Sequence, residues 1–109
     1  MKRLAKRFGC PVELSLELLG GKWKPVILAR LKDGPLRYGE LRRLIMPLSD
    51  KVLTERLAEL QAQGLVERRA ASQGGEYSLT ARGQSLRPVL IALYEWGAVQ
   101  AVELQVTIG

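Results

Sequence analysis

The clearest alternation of apolar and polar positions lies between Ser49 and Gly64. Leu53, Leu57 and Leu60 recur at helical spacing and fall on one stripe of an α-helix. Ser49 is a residue type that caps helix N-termini, and Gly64 is the type that ends helices in a left-handed conformation. The pattern therefore predicts one amphipathic helix with both ends marked.

The face opposite the leucines has polar side chains near its N-terminal end and small ones further on. Lys51 and Glu55 lie on this face with Thr54 beside them, and Ala58 and Ala62 follow. Such a profile suits a helix that enters the ~12 Å wide major groove of DNA. The helix alone favours an ordinary surface helix packed by its leucines, because amphipathic helices are common. The neighbouring elements change that balance.

Shorter helices are predicted before this one. The first begins at Cys10, with a proline suited to its first turn, and ends at Gly20. The second spans 23–32 and is apolar over most of its surface, and the third spans 39–45. Pro47 cannot continue the third helix, so a break precedes Ser49. Residues 39–64 therefore read as a helix-turn-helix.

The period of the pattern changes after Gly64. Residues 65–69 and 76–79 read as strands, and the small, glycine-rich segment 70–75 between them predicts a hairpin tip. A helix-turn-helix followed by a hairpin is a winged helix. We therefore predict a mainly α fold of the α+β class, with a small β-hairpin wing at 65–79.

The C-terminal part predicts one long helix that Thr80 caps and Pro88 bends near its start. Its apolar positions form a seam longer than a winged-helix core requires, and Trp96 and Val99 add to it. Such excess apolar surface argues for a partner chain.

Composition and charge point to a polyanionic partner. The 109 residues suit a single domain spanning 1–109, with residues 1–9 as a basic arm. Lys and Arg number 17 against 11 Asp and Glu, which gives a net charge of +6. Nucleic acid is the first candidate partner and an anionic membrane surface the second. A charge that merely confers solubility is the alternative.

Several classes of function are disfavoured. The chain has no His and one Cys, which argues against a zinc site, a His-based triad or an internal disulfide. Its carboxylates are scattered and no glycine-rich phosphate loop is present, so we expect neither an enzyme nor a cofactor. Apolar runs fall far short of the ~18–20 residues of a membrane span, and no apolar region follows the basic N-terminus. We expect no membrane partner and a cytoplasmic location.

An ordered set of motifs runs from Cys10 to about Gly97. The motifs are Cys10-Pro11, Gly20-Gly21-Lys22-Trp23, Ile27-Leu28, Arg37-Tyr38-Gly39-Glu40-Leu41, residues 48–57, residues 64–68, Glu76-Tyr77-Ser78-Leu79-Thr80, Gly83, Leu86, Pro88-Val89-Leu90 and Trp96-Gly97. In this order they resemble the HxlR-type winged helix-turn-helix regulators. Two departures are visible: the family usually has Phe where Tyr38 stands, and it usually has proline in the wing, where residues 70–75 have none.

The resemblance implies a homodimeric bacterial transcription regulator, often a repressor, with N- and C-terminal dimerisation helices at 10–20 and 80–106. Some members sense electrophiles or oxidants through a cysteine at the position of Cys10, so an oxidant or small-molecule effector is a further candidate partner. The candidate dimer contacts are Leu14, Leu18, Leu86, Leu90, Leu93, Trp96 and Gly97.

Double-stranded DNA is the expected partner, and the candidate base contacts are on the helix after Ser49. Lys51 suits guanine, Thr54 a thymine methyl group and Glu55 the amino group of cytosine. The alternative for Lys51 and Glu55 is a surface ion pair. Arg56 suits a phosphate contact or an internal pair with Glu40 or Glu59, and the sequence does not decide between them. The full set of candidate DNA contacts is Arg37, Arg42, Arg43, Ser49, Lys51, Val52, Thr54, Glu55, Arg56, Arg68, Arg69 and Gln73.

Arginines outside that helix are candidates for phosphate contacts. Arg37, Arg42 and Arg43 lie on or before the preceding helix, where phosphate contacts would orient the domain. Arg68 and Arg69, with Gln73, would place the wing along the DNA backbone or in a minor groove. The alternative for the wing is a charged strand edge that deters aggregation.

Cys10 is a candidate redox sensor. The N-terminal end of a helix favours a thiolate, and Lys6 and Arg7 precede the cysteine. The alternative is a small apolar residue buried at a dimer interface. For the whole chain, the rival of a DNA-binding regulator is a winged-helix protein-interaction module. RNA binding is a weaker option, because no aromatic stacking platform is visible.

Overall fold

The computed structural model describes residues 7–70 and 75–109, and these ranges contain a small three-stranded sheet among helices. The helices are α1 Pro11–Leu19, α2 Trp23–Leu31, α3 Tyr38–Leu44, α4 Asp50–Ala62, α5 Ala81–Gln84 and α6 Arg87–Glu103. The strands are β1 Leu36–Arg37, β2 Val66–Arg69 and β3 Glu76–Leu79.

Helix α4 has the ends that its sequence predicts. The Ser49 hydroxyl accepts a hydrogen bond from the Val52 N–H at 3.2 Å, which satisfies one of the free N–H groups of the first turn. After the last turn, Gly64 adopts a φ of +73°, a conformation that costs glycine little. Both ends of α4 are therefore fixed by local sequence.

The core lies where α2 meets α4. Ile27 and Leu28 of α2 and Leu53 of α4 have no exposed surface. Leu57 and Leu60 complete the leucine stripe and are also buried. The stripe that periodicity assigns to the interior thus packs on α2, which leaves the opposite face of α4 in solvent.

The wing is part of a sheet with strand order β1-β3-β2 and antiparallel pairing throughout. Val66 lies opposite Leu79, and Leu36 of β1 lies opposite Tyr77. The sequence predicts an extended segment at 36–38, and the structure turns its first part into a third strand while Tyr38 already starts α3. The predicted mainly α fold with a winged helix-turn-helix is confirmed.

The C-terminal part differs from the single bent helix that the sequence predicts. Thr80 does cap a helix, since its Oγ1 accepts from the Gly83 N–H at 3.0 Å, but that helix ends at Gln84. Pro88 has no N–H to bond to the Gln84 carbonyl, so α5 cannot continue into α6. Within residues 7–70 and 75–109, no helix combines the length and apolarity needed to cross a membrane.

Leu90 is a correction to the predicted dimer seam. It is 2% exposed and belongs to the hydrophobic core of its own chain. The break before α6 lets the first turns of that helix pack against α2, which takes Leu90 inward. Leu86 is half-buried against the same core, so the exposed part of the seam begins further along α6.

Candidate nucleic-acid interface

The solvent face of α4 consists of Lys51, Thr54, Glu55 and Ala58, all of them exposed; we call it the groove face. Among the described residues no carboxylate lies within ion-pair distance of Lys51, and the Glu55 carboxylate instead lies 3.9 Å from an Arg56 nitrogen. The alternative surface pair between Lys51 and Glu55 is therefore not formed. The Lys51 ammonium and the end of the helix that carries it are available to an external acceptor.

The beginning of α4 is braced by side chains from α3. The Tyr38 hydroxyl lies 2.8 Å from Asp50 Oδ1, and Arg42 Nε lies 2.7 Å from the same oxygen. The Tyr38 hydroxyl also lies 3.2 Å from Thr54 Oγ1 on the groove face. Arg42 Nη1 also donates a hydrogen bond to the Leu48 carbonyl, which lies in the turn that joins α3 and α4. This brace fixes the angle at which α3 presents α4.

The charges in the brace are those that its hydrogen bonds require. Tyr38 donates to the carboxylate of Asp50 and, with the nearby Arg42 guanidinium, holds the pKa of Asp50 below its ordinary value. Partial burial raises the pKa of Tyr38, and the Asp50 charge acts in the same direction. Near neutral pH the carboxylate is therefore ionised and the phenol keeps its proton. Asp50 accepts from both neighbours at once.

Tyr38 and Asp50 are site residues that sequence reasoning missed. Their contact joins two helices across a turn, and periodicity reports the exposure of each residue but not which side chains meet. The only signal was Tyr38 itself, a polar aromatic where the resembled family usually has Phe. Arg42 was predicted to contact phosphate, and the structure instead gives its guanidinium the internal partners Asp50 and Leu48.

The remaining arginines of this region are more open. Arg43 is exposed at the end of α3, with no ion-pair or hydrogen-bond partner within the described ranges. The Arg37 side chain is exposed as well, while its backbone N–H donates to Glu40 at 2.8 Å. Glu40 is therefore occupied as the cap of α3. Arg43 and Arg37 remain suited to phosphate contacts.

A second network lies beneath α4. Lys24 is 6% exposed and its Nζ lies 3.2 Å from a Glu59 oxygen, while Arg56 contacts the other oxygen of that carboxylate. Burial lowers the pKa of Lys24, and the nearby Arg56 charge lowers it further. Arg56 thus takes the internal alternative, with Glu59 as its partner. Periodicity gave no sign that a lysine beside Trp23 would be buried.

The wing carries two more arginines, both on β2. Arg69 and Arg37 both lie opposite Glu76, one on each side of β3. The Arg68 guanidinium lies against Gly75, where a Cβ would sit 2.6 Å from Arg68 Nε, and Gly75 also has a φ of +91°. A side chain at Gly75 is disfavoured on both grounds. Gln73, also predicted as a wing contact, lies outside the described residues.

Cys10 is exposed at the N-cap of α1. Its backbone N–H donates to a Glu13 carboxylate oxygen at 2.7 Å, so a negative charge already lies at this helix end. Arg7 is exposed nearby, and Lys6 lies outside the described residues. The thiol is therefore accessible in the single chain, with a basic and an acidic side chain close in sequence.

The candidate dimer contacts fall into two groups besides Leu90. Leu93 and Trp96 are 51% and 68% exposed, and Leu14 of α1 is also exposed. Leu18, Leu86 and Gly97 are half-buried. Apolar side chains continue along the outer surface of α6 and the C-terminal residues; the exposed ones are Val89, Leu93, Tyr94, Trp96, Val99, Val102, Leu104, Val106 and Ile108.

Comparison with known proteins places this chain among HTH-type transcriptional regulators. Residues 18–104 match the sequence model of a family described as HxlR-like helix-turn-helix. The chain is 43% identical over 99 residues to the uncharacterised HTH-type transcriptional regulator YkvN of Bacillus subtilis (strain 168), covering 88% of this chain and 84% of that protein.

Solved structures show the same likeness. The redox regulator HypR in its reduced form superposes with a TM-score of 0.81 and 37% identity, over 90% of this chain and all of that one (100%). The quinone-bound form of YodB from B. subtilis superposes with a TM-score of 0.70 and 37% identity, over 82% of this chain and 97% of that one. The sequence comparison and the structural comparison therefore both find regulators.

Proposed function

The chain belongs to the HxlR-like helix-turn-helix family of transcriptional regulators, and from this premise we propose that it is a homodimeric repressor that binds pseudo-palindromic DNA. Each protomer inserts the groove face of α4 into a major groove. Lys51, Thr54 and Glu55 contact base edges, and Arg37, Arg43 and the wing arginines contact phosphates. A dimer that occupies such a site blocks access to it.

The observation that carries the proposal is that α4 has an exposed groove face and an N-terminal end held by contacts from α3. Its groove face is exposed, Lys51 has no internal acceptor among the described residues, and the brace from Tyr38 and Arg42 fixes its N-terminal end. A recognition helix contacts bases with its N-terminal residues, so this is the end that must be rigid and open. An ordinary surface helix requires neither property.

Dimerisation is supported by the apolar surface that the single chain leaves in solvent. Leu93, Trp96 and Val99 lie on α6, and Leu14 lies on α1. Soluble monomers rarely leave contiguous apolar patches of this kind uncovered. A twofold dimer through α1 and α6 would cover them and would hold two α4 helices at a fixed separation.

Cys10 is the part of the proposal that concerns regulation. HypR is described as a redox regulator and YodB has been solved with a quinone bound. In this chain an exposed thiol at the start of α1 lies on an element assigned to the dimer, so its modification would alter the spacing of the two α4 helices. Cys10→Ser is expected to bind DNA as the parent does and to ignore diamide or a quinone.

The experiment measures duplex affinity against salt by fluorescence anisotropy. We expect log affinity to fall linearly with log salt, and Arg43→Ala to reduce the slope by about 0.9 while weakening all duplexes alike. Lys51→Ala should instead change the preferred base at one position, by about 1–3 kcal/mol. Absence of duplex binding at low salt would contradict the proposal and favour the protein-interaction module.

A further inference from the structure

We infer that Tyr38 is a positioning residue for base reading: its hydroxyl holds Thr54 in one rotamer, so that the Thr54 methyl group and not its hydroxyl meets the DNA. The inference rests on the proposed binding of DNA through α4. It assigns a role to a side chain that itself belongs to α3 and lies behind the groove face.

The direction of each hydrogen bond follows from the donors available. Tyr38 has one O–H proton, and its hydroxyl lies 2.8 Å from the ionised carboxylate of Asp50, which can only accept. Arg42 Nε also lies 2.7 Å from the same oxygen. The proton of Tyr38 is thus committed to Asp50, and the hydroxyl oxygen keeps lone pairs that can accept.

Thr54 must then be the donor in its own contact with Tyr38. Its Oγ1 lies 3.2 Å from the Tyr38 hydroxyl, and the Thr54 O–H is the proton left for that bond. The result is a directed chain from Thr54 to Tyr38 to Asp50. Such chains polarise each member and strengthen the bonds within them.

Fixing the hydroxyl also fixes the methyl group. Threonine in a helix divides between two χ1 rotamers, one of which bonds its hydroxyl back to a carbonyl of the preceding turn. The contact with Tyr38 holds Oγ1 toward α3, and the tetrahedral geometry at Cβ then sets where the methyl group lies. Thr54 is exposed on the groove face, so the methyl group becomes the part offered to base edges. The apolar feature in the major groove is the methyl group of thymine.

A phenylalanine at position 38 would keep the ring and its packing but would leave Thr54 free to choose its rotamer. Asp50 would still have Arg42, so the brace at the start of α4 would persist in part. Tyr38 therefore affects which face of Thr54 the DNA meets more than whether α4 forms. Relatives with Phe at this position should read the corresponding base less strictly.

The test compares affinities for a preferred duplex and its single-base variants. Thr54→Ser removes the methyl group and keeps the hydroxyl, so the position at which it loses preference is the base pair read by Thr54. At that position we expect Tyr38→Phe to reduce the preference for thymine by about 2- to 10-fold, the effect of one hydrogen bond. Preferences at the other positions should not change.

Two controls separate positioning from stability. Thr54→Val has no hydroxyl for Tyr38 to hold, so Tyr38→Phe in that background should have no further effect on base preference. Thermal unfolding of each variant reports whether α3 and α4 remain packed. Three results would each overturn the inference. The first is that Tyr38→Phe weakens binding to all duplexes equally, the second that it leaves the base preference unchanged, and the third that it keeps its full effect in the Thr54→Val background. Failure of the parent chain to bind any duplex would instead overturn the proposed function.

Discussion

Gly83 lies where α5 crosses the base of the wing. A Cβ at this position would fall well inside contact distance of the Leu65 carbonyl oxygen and 3.1 Å from Leu79 Cβ. The same carbonyl accepts from the Thr80 N–H at 3.1 Å, so it cannot move away without breaking a bond that holds the wing to α5. Only glycine allows the two segments to approach this closely.

We expect Gly83→Ala to lower the free energy of unfolding by about 1–3 kcal/mol, the usual cost of overpacking. Thermal or urea unfolding measures the change. Gly39→Ala is the matched control, because a Cβ there meets only the end of the Arg43 side chain at 3.7 Å. That control should be neutral or slightly stabilising. Equal stability of both variants would show that α5 does not pack on the wing as described.

Asp50 predicts a specific dependence of stability on acid. Its pKa in the folded state is lowered, first by the Tyr38 hydrogen bond and then by the Arg42 charge. A lowered pKa in the folded state stabilises the protein above the unfolded pKa of about 3.9, and this contribution is lost as pH falls through the folded value below it. We expect Asp50→Asn to be less stable at neutral pH.

The same variant should show a shallower loss of stability below pH ~4, because the group that titrates there is gone. Urea unfolding from pH 7 down to pH ~2 compares the two proteins. Glu55→Gln is the control, since Glu55 is exposed on the groove face and its nearest cation is Arg56 at 3.9 Å. Parallel pH profiles for the parent and Asp50→Asn would contradict the brace.

Single residues also mark the limit of sequence reasoning. Ser49, Gly64 and the leucine stripe could be read because caps and periodicity depend on neighbours along the chain. The contacts between Tyr38 and Asp50 and between Lys24 and Glu59 could not be predicted, because each pair forms only after separate helices have packed. Arg42 was therefore placed correctly on its helix but without its internal partners. For Arg56 the sequence left a phosphate contact and an internal pair with Glu40 or Glu59 open, and packing decides for Glu59.

At the scale of elements, the sequence predicted a C-terminal helix with an apolar seam, but it wrongly joined α5 and α6 into one helix. Periodicity runs without interruption through 85–86, so it could not show that α5 ends at Gln84 and that α6 starts afresh. Because α6 begins as a separate helix, Leu90 is buried in the core of its own chain while Leu93 is exposed. An apolar seam along one uninterrupted helix does not distinguish these two leucines. The sequence did predict excess apolar surface on this element.

Leu93 and Leu90 form a matched pair for testing the role of α6. We expect Leu93→Glu to leave the fold intact and to give monomers, with weaker DNA binding because two half-sites are no longer linked. Leu90→Ala should lower the free energy of unfolding by about 2–5 kcal/mol, as expected for a buried leucine. Sedimentation and thermal unfolding separate the two effects.

A monomeric parent at micromolar concentration would contradict the proposed role of α6. So would a Leu93→Glu variant that remains dimeric. Loss of folding in Leu93→Glu would show instead that its side chain supports the core of the protomer.

At the scale of the whole molecule, the net charge and the proposed arrangement of two protomers both suit binding to DNA. The charge of +6 suits a polyanion, and the proposed dimer would present two groove faces on one side. Composition argued against a zinc site, a His-based triad and an internal disulfide, and decided little else. The order of elements and the resemblance predicted the winged helix, whereas the relative placement of two protomers depends on contacts between chains that a single sequence does not display.

The central claim is that two α4 helices read successive major grooves on one face of DNA. Selection of bound sequences from a random duplex pool, followed by binding to duplexes with altered half-site spacing, tests it most directly. We expect an inverted repeat with half-sites about 10–10.5 base pairs apart, bound by two chains. Inserting about half a helical turn between the half-sites should abolish tight binding, since the second helix would then face the wrong side of the duplex. Enrichment of no sequence, or tight binding that is indifferent to the spacing, would contradict the account.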